Sequence, residues 1–96
     1  MFRRKQTFTR EEECECVIQS IRDFLAGTGN AWDWDDFTSI RIGYPDLDAV
    51  RGFCLQVRAD YPPTDRTHWC NPDGLRELRR KLDLLEAESL QARRPD

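Results

Sequence analysis

Apolar residues recur three or four positions apart in three long segments of the chain, with polar and charged residues between them. The three stripes are Cys14, Val17, Ile18, Ile21, Phe24 and Leu25; Leu47, Val50, Phe53, Cys54 and Val57, continued by Tyr61; and Leu75, Leu78, Leu82 and Leu85. Residues at this spacing lie on one face of an α-helix, which is buried against its neighbours. The pattern predicts three longer helices, over residues 10–26, 46–60 and 72–90.

Capping residues stand at the ends of these segments. Thr9 and Glu12 form a capping-box sequence before the first stripe, and Gly27 follows that stripe as a typical C-terminal cap. Asp46 is predicted to be the N-cap of the second long helix. Asn71 is predicted to cap the third, because the proline that follows it is favoured at the first helical position.

A short acidic and aromatic stretch, Ala-Trp-Asp-Trp-Asp-Asp-Phe-Thr-Ser over residues 31–39, lies between the first two stripes. With Asp33 as N-cap, Asp36 falls at the acidic position of a capping box, and Trp32 can pack on Phe37 as a hydrophobic staple. Carboxylates in the first turn are stabilised by the helix dipole. The stretch therefore predicts a short fourth helix over residues 33–39.

No repeat, linker or low-complexity tract divides the 96 residues. The expected fold is all-α, a small single-domain bundle of three longer helices plus one short helix, spanning residues 1–96. The polar ends, residues 1–8 and 91–96, are expected to be flexible. A chain of this length has a thin core, so its large aromatic residues should supply much of the buried area.

Charge is distributed unevenly along the chain, whose formal net charge is -3. Residues 1–10 carry four bases, residues 11–48 carry ten acids against two bases, and residues 49–81 carry seven bases against four acids. Acids thus interrupt the basic face that nucleic-acid binding requires. The basic N-terminus lacks the apolar core of a signal peptide, and no apolar run approaches the roughly 20 residues of a membrane span. The sequence favours a cytoplasmic protein with reduced cysteines and neither nucleic acid nor membrane as partner.

Two groups of side chains could bind a metal. Asp33, Asp35 and Asp36 resemble the opening of a calcium loop, but the residues that follow break the pattern. His68 and Cys70, with a distant cysteine, could bind zinc or form a thiol–histidine pair, although the Cys-x-x-Cys spacing of structural zinc sites is absent. A metal-binding protein, or a small enzyme with a pocket near His68, stays an alternative. The favoured interpretation has no metal, no cofactor and no catalytic residue.

Large aromatic residues beside charges are the better functional lead, because tryptophan, tyrosine and arginine are enriched in binding hot spots. The candidate binding residues are Trp32, Trp34, Asp35, Asp36 and Trp69. Burial of all these rings in the core is the competing explanation. The sequence favours a non-enzymatic protein-interaction module with an acidic-aromatic face and another protein as its partner.

Five segments of the chain carry a resemblance. They are Phe24–Gly29, Trp32–Ser39, Pro45–Leu47, Tyr61–Pro63 and Cys70–Leu75. Together they resemble a group of short, uncharacterised bacterial proteins that share a GTG-x-x-WDWDDFTS motif. This resemblance implies no known activity and assigns no catalytic or binding residue. A looser similarity, in size, helix number and acidic first half, is to small acidic immunity proteins that block nuclease toxins. Immunity to a basic toxin is therefore one version of the interaction function.

Overall fold

The computed structural model describes residues 9–27, 31–65 and 68–93, and only the backbone of Ala31, Trp32, Ala92 and Arg93. Within these residues lie four α-helices: α1 (Arg10–Ala26), α2 (Ala31–Ser39), α3 (Pro45–Asp60) and α4 (Pro72–Arg93). The described ranges contain no strand. The prediction of an all-α fold with three longer helices and one short helix is confirmed.

Both ends of α1 follow the predicted capping chemistry. The Thr9 hydroxyl accepts the backbone N–H of Glu12 at 3.1 Å, and the Glu12 carboxylate accepts the backbone N–H of Thr9 at 2.8 Å. Gly27 ends the helix in the left-handed conformation, with φ 73°. A residue with a side chain is disfavoured there, because its Cβ would crowd the following carbonyl.

Helix α2 begins two residues earlier than predicted, at Ala31. Asp33 is therefore the third residue of the helix, and its predicted role as N-cap is wrong. The physical reason is that alanine is the best helix former, so the helix extends back over residues 31 and 32. Asp33 keeps a favourable place in the first turn, near the positive end of the dipole. The predicted staple between Trp32 and Phe37 lies outside the described residues, because it depends on the Trp32 side chain.

The predicted N-cap of α3 is wrong, whereas that of α4 is confirmed. Tyr44, not Asp46, is the N-cap of α3, since Pro45 already occupies the first helical position with the fixed φ that suits it. Asn71 caps α4 as predicted, and its Oδ1 accepts the backbone N–H of Gly74 at 3.0 Å. Helix α4 runs to Arg93, so residues 91–93 are helical although the sequence predicted a flexible end from residue 91.

The helices alternate in direction around a central pair. Arg10 at the start of α1 forms an ion pair with Asp46 at the start of α3, so these two helices run side by side in the same direction. The end of α3 meets the start of α4, where the backbone N–H of Asn71 donates to the carbonyl of Tyr61 at 3.0 Å. Helices α2 and α4 each contact both α1 and α3 but not each other, so they lie on opposite sides of the central pair.

The core is formed by the inward faces of all four helices. Its fully buried side chains are Val17, Ile21, Leu47, Cys54, Val57, Leu78 and Leu82. Every one of them belongs to a stripe that the sequence pattern identified. Cys14 and Cys54 are buried as small apolar residues, whereas Cys16 is exposed, and no disulfide joins any of the four cysteines, all of which the structure describes. Burial raises the pKa of the Cys54 thiol to about 12, which keeps it protonated and unreactive near neutral pH.

The start of α4 packs tightly on the end of α3 at Gly74. A methyl group added there would lie 2.9 Å from the Cys70 sulfur, 2.9 Å from the Tyr61 Cβ and 3.0 Å from the Val57 Cγ1. Such distances are well inside van der Waals contact, so only glycine fits without a shift of the neighbouring groups. Gly74 therefore fixes how tightly the start of α4 packs on the end of α3.

Candidate functional site

Trp34 of α2 lies at the centre of a group of four rings, the aromatic cluster, made of Phe24, Trp34, Phe37 and Trp69. The Phe24 ring stacks on the indole of Trp34 with 4.1 Å between centroids and 13° between planes. Phe37 is tilted against the same indole at 5.3 Å, and Trp69 meets it edge-on at 5.5 Å. Offset stacks and edge-to-face contacts are the favoured geometries of aromatic pairs. The cluster joins α1 and α2 to the segment that precedes α4.

The prediction that Trp34 belongs to an exposed binding face is wrong, because only 4% of this residue is exposed. The reason is its position on the helix: Trp34 and Thr38 are four residues apart, and both point into the bundle. The indole Nε1 is buried and has no hydrogen-bond partner among the residues that the structure describes. Trp34 is therefore a core residue that leaves a polar group unsatisfied.

Trp69 is half-buried at the edge of the aromatic cluster. Its ring also meets Phe24 edge-on, with 5.8 Å between centroids. The guanidinium carbon of Arg58 lies 5.9 Å from the Trp69 ring centroid, within the range of a cation–π contact. Trp69 thus has structural partners on two sides and only its remaining edge is open to another molecule.

A polar network, the α2–α3 clamp, holds the end of α2 against α3 through Thr38, Ile42, Asp48 and Arg51. Arg51 Nη1 donates to the Thr38 carbonyl at 2.6 Å, and its Nε donates to Asp48 Oδ1 at 2.7 Å. The same Asp48 oxygen accepts the backbone N–H of Ile42 at 2.9 Å. The Thr38 hydroxyl, itself buried, donates to the carbonyl of Trp34 at 3.1 Å. The clamp fixes the position of α2, and with it the orientation of the outer side of that helix.

The clamp also changes the acidity of Asp48. The hydrogen bond from Arg51, followed by the one from the Ile42 N–H, lowers the pKa of the Asp48 carboxyl from 3.8 to about 2. Hydrogen bonds to the ionised form favour that form. Asp48 is therefore a charged partner of Arg51 at all but strongly acidic pH.

The outer side of α2 is acidic. Asp33, Asp35 and Asp36 are all exposed, and the helix contains no basic residue. Asp33, Asp36 and Phe37 lie three and four positions apart, so they share one flank of the helix. Ile40, whose N–H donates to the Asp36 carbonyl at 3.1 Å, continues this flank just after the helix ends, and the four residues form the α2 face. Phe37 and Ile40 are half-buried, so this flank combines carboxylates with partly exposed apolar surface. Asp35 lies on the other flank.

The side-chain carboxylates of Asp35 and Asp36 have no hydrogen-bond or ion-pair partner in the part of the chain that the structure describes. Elsewhere in that part, acids such as Asp46, Asp48 and Glu86 are engaged by arginines. The α2 face is thus an acidic surface that the protein itself leaves uncompensated at Asp36. Of the predicted binding residues, the structure places Asp36 on this face, Asp35 beside it, and Trp69 at the edge of the aromatic cluster.

The two candidate metal groups are not assembled in the described residues. No three side chains of histidine, cysteine, aspartate or glutamate there are arranged to hold a metal ion. His68 is exposed and its Nδ1 lies 3.0 Å from Asp65 Oδ1, whereas Cys70 is buried against the start of α4. Burial raises the pKa of the Cys70 thiol. The arrangement therefore provides no reactive thiol beside the imidazole.

Sequence reasoning missed Arg58 and Ile40 as parts of the site. Arg58 was recognisable only as a residue off the apolar face of α3, and nothing in the sequence shows that it reaches Trp69. Ile40 could have been found, because it lies seven positions after Asp33 and three after Phe37. The signal was overlooked because Ile40 lies one residue past the end of the helix, both as predicted and as observed.

Comparisons with protein families, with curated proteins and with solved structures find no match. Among the described residues, no helix has the length and apolar character needed to cross a membrane. The candidate site is therefore defined by its own geometry and charge. Its principal features are the exposed carboxylates of α2, of which Asp35 and Asp36 have no partner among the described residues, and the partly exposed rings beside them.

Proposed function

We propose that the protein is a non-enzymatic, cytoplasmic interaction module whose α2 face binds a basic surface of another protein molecule. The observation that carries the proposal is the exposed pair Asp33 and Asp36 beside the half-buried Phe37, on a helix without a basic residue. Acids and bases across an interface raise the association rate and select the correct partner. Partly exposed apolar surface supplies the area that is removed from water.

The support of the α2 face favours binding without rearrangement. Helix α2 is fixed near its C-terminal end by the α2–α3 clamp and through its middle by the aromatic cluster. A surface that is already ordered loses less conformational entropy on binding than a flexible one. The short helix can therefore act as a rigid recognition element, although nine residues would be a marginal helix in isolation.

An inhibitor of a basic toxin is one version of this function. Such a partner would present lysine or arginine side chains to Asp33 and Asp36, and binding would cover the active surface of the toxin. The acidic outer side of α2 supports a basic toxin as the partner to the same extent as it supports any other basic protein. Metal binding has less support, because Asp35 lies on a different flank from Asp33 and Asp36.

A binding experiment with charge-neutral variants tests the proposal. The immobilised protein is used to capture partners from a native lysate, and each captured protein is then purified and titrated calorimetrically. We expect a basic partner whose affinity for the unmodified protein falls as salt is raised, and whose affinity for the Asp33→Asn/Asp36→Asn variant is lower by about tenfold or more. The single variants Asp36→Asn and Asp35→Asn remove the same charge from the same helix and form a matched pair. An equal effect of the two would contradict the assignment of the α2 face, and a partner indifferent to all these variants would overturn the proposal.

A further inference from the structure

The outward side of α4 carries a row of exposed side chains that has no partner helix. Arg76, Arg80 and Leu84 are four residues apart and so follow one line along the helix, the α4 row. The side chains of Arg76 and Arg80 are 71% and 74% exposed, and Leu84 is 58% exposed. Two positive charges are thus followed by a large exposed apolar residue.

The α4 row matches the α2 face in both charge and order. On α2, the acids Asp33 and Asp36 come first, and the apolar Phe37 and Ile40 follow. At about 1.5 Å per residue, the charges are separated by about 4.5 Å on α2 and about 6 Å on α4. From the first charge, Ile40 lies about 10.5 Å along α2 and Leu84 about 12 Å along α4. Two helices laid side by side in the same direction therefore pair acid with base and apolar with apolar.

The topology of the bundle permits this pairing between molecules and not within one. Helices α2 and α4 lie on opposite sides of the α1–α3 pair, and both run opposite to that pair. Two copies in nearly the same orientation, placed side by side, therefore bring α2 of one copy alongside α4 of the next in the same direction. We infer that the partner of the α2 face is the α4 row of a second copy of this chain, an inference that rests on the proposed interaction function.

The ion pairs within α4 do not prevent such a contact. Arg76 pairs with Asp73, and Arg80 lies 3.3 Å from Glu77, both at the i, i+3 spacing on the exposed side of the helix. Exposed pairs of this kind are weak and exchange readily with other partners. Two short helix faces bury less area than the roughly 1,200 Å² of stable complexes, so the association is weak and depends on concentration. Because the two faces differ, the contact is head-to-tail and can continue beyond a dimer.

Two variants of the full chain, each lacking one of the two faces, test this geometry in the analytical ultracentrifuge. Asp33→Asn/Asp36→Asn removes the acidic face, and Arg76→Gln/Arg80→Gln removes the basic row. At about millimolar concentration, in a range where weak contacts are populated, and at low salt, the average mass of the unmodified protein should exceed its monomer mass of 11.4 kDa. It should return to that value at high salt. Each variant alone should be monomeric, whereas an equimolar mixture should form a one-to-one complex and nothing larger.

Controls use exposed residues of the same helices that lie away from the contact. Asp35→Asn on α2 and Arg79→Gln on α4 change the net charge in the same directions and should associate like the unmodified protein. A monomeric unmodified protein at all concentrations, or undiminished association of the Arg76→Gln/Arg80→Gln variant, would overturn the inference. If self-association fails in this way but a different basic protein is captured through Asp36, the proposed interaction function still stands. Failure of the inference and failure of the proposed function can therefore be distinguished.

Discussion

The ring of Phe24 lies flat on the indole of Trp34, 4.1 Å away, and this stack joins the end of α1 to the middle of α2. The two residues are separated in the sequence by a segment that contains two glycines, so the sequence alone does not bring them together. Their contact explains how a nine-residue helix with three exposed acids is retained in the bundle. It also makes Trp34 the residue on which the position of the α2 face depends.

Replacing Trp34 separates the contribution of its ring from that of its N–H group. Trp34→Ala should lower the free energy of unfolding by about 3–5 kcal/mol, because a large buried ring is lost. Trp34→Phe should lower it by less than about 1.5 kcal/mol, since it keeps aromatic packing and removes a donor whose burial without a partner is unfavourable. Urea denaturation followed by circular dichroism measures both. Similar losses for the two variants would show that the indole N–H has a partner in solution.

Gly74 should be the position where an added methyl group is least tolerated. Gly74→Ala should lower the free energy of unfolding by about 1–3 kcal/mol through overpacking against Cys70 and Tyr61, despite the higher helix propensity of alanine. Gly52 is the matched control, because it also lies inside a helix but has no group within 4 Å of an added Cβ. Gly52→Ala should raise the free energy of unfolding by about 0.5–1 kcal/mol. Thermal or chemical denaturation of the two variants would refute the packing argument if both changes had the same sign.

The corrected start of α2 changes what is expected of two capping residues. Asn71→Ala should lower the free energy of unfolding by about 0.5–2 kcal/mol, because Asn71 accepts the N–H of Gly74. Asp33→Ala should lower the free energy of unfolding through the lost dipole interaction, which contributes about 0.3–1 kcal/mol, and not through a lost cap, since Asp33 is inside the helix. Denaturation curves in low and high salt distinguish the two, because only the dipole effect is screened. A larger, salt-independent loss for Asp33→Ala would restore it as a cap.

Asp48 should make the protein sensitive to acid. Its pKa is about 2 in the folded protein and 3.8 when it is free of its partners, so folding favours the ionised form. The stabilisation is therefore complete above the unfolded value and is lost as the pH falls through the folded value. Urea midpoints measured between pH 5 and 2, a range that brackets the two pKa values, should fall more steeply for the unmodified protein than for Asp48→Asn. Parallel pH curves for the two proteins would show that the α2–α3 clamp does not contribute in solution.

The fold could be predicted from the sequence because each long helix has a continuous apolar stripe and residues that mark where it begins or ends. Thr9, Gly27 and Asn71 act through contacts a few residues away, and such local chemistry can be recognised in a sequence. Asp33 and Asp46 were misplaced because an acid is favourable both as an N-cap and within the first turn of a helix. Boundary errors of two residues or fewer follow from that ambiguity.

The candidate site was harder to predict than the fold, because exposure depends on contacts between distant segments. Trp34 and Trp69 have similar polar neighbours in the sequence, yet one is buried and the other half-buried. The difference comes from Phe24, which lies ten residues before Trp34 and covers its face. Asp35 and Asp36 were identified as exposed because they fall outside the apolar repeat, and that part of the site needed no tertiary contact.

Helix α1 packs more extensively on α4 than on any other helix, although the two are the first and last elements of the chain. During synthesis on the ribosome, the apolar stripe of α1 therefore emerges long before the surface that covers it. Until α4 has left the exit tunnel, Val17, Ile18 and Ile21 lack the helix that packs most extensively on α1. A chain that stops before α4 would leave these apolar side chains exposed. The native packing of α1 can thus be completed only after α4 has been synthesised. We expect a chain truncated before Pro72 to be captured by chaperones or degraded, instead of persisting as a smaller folded domain.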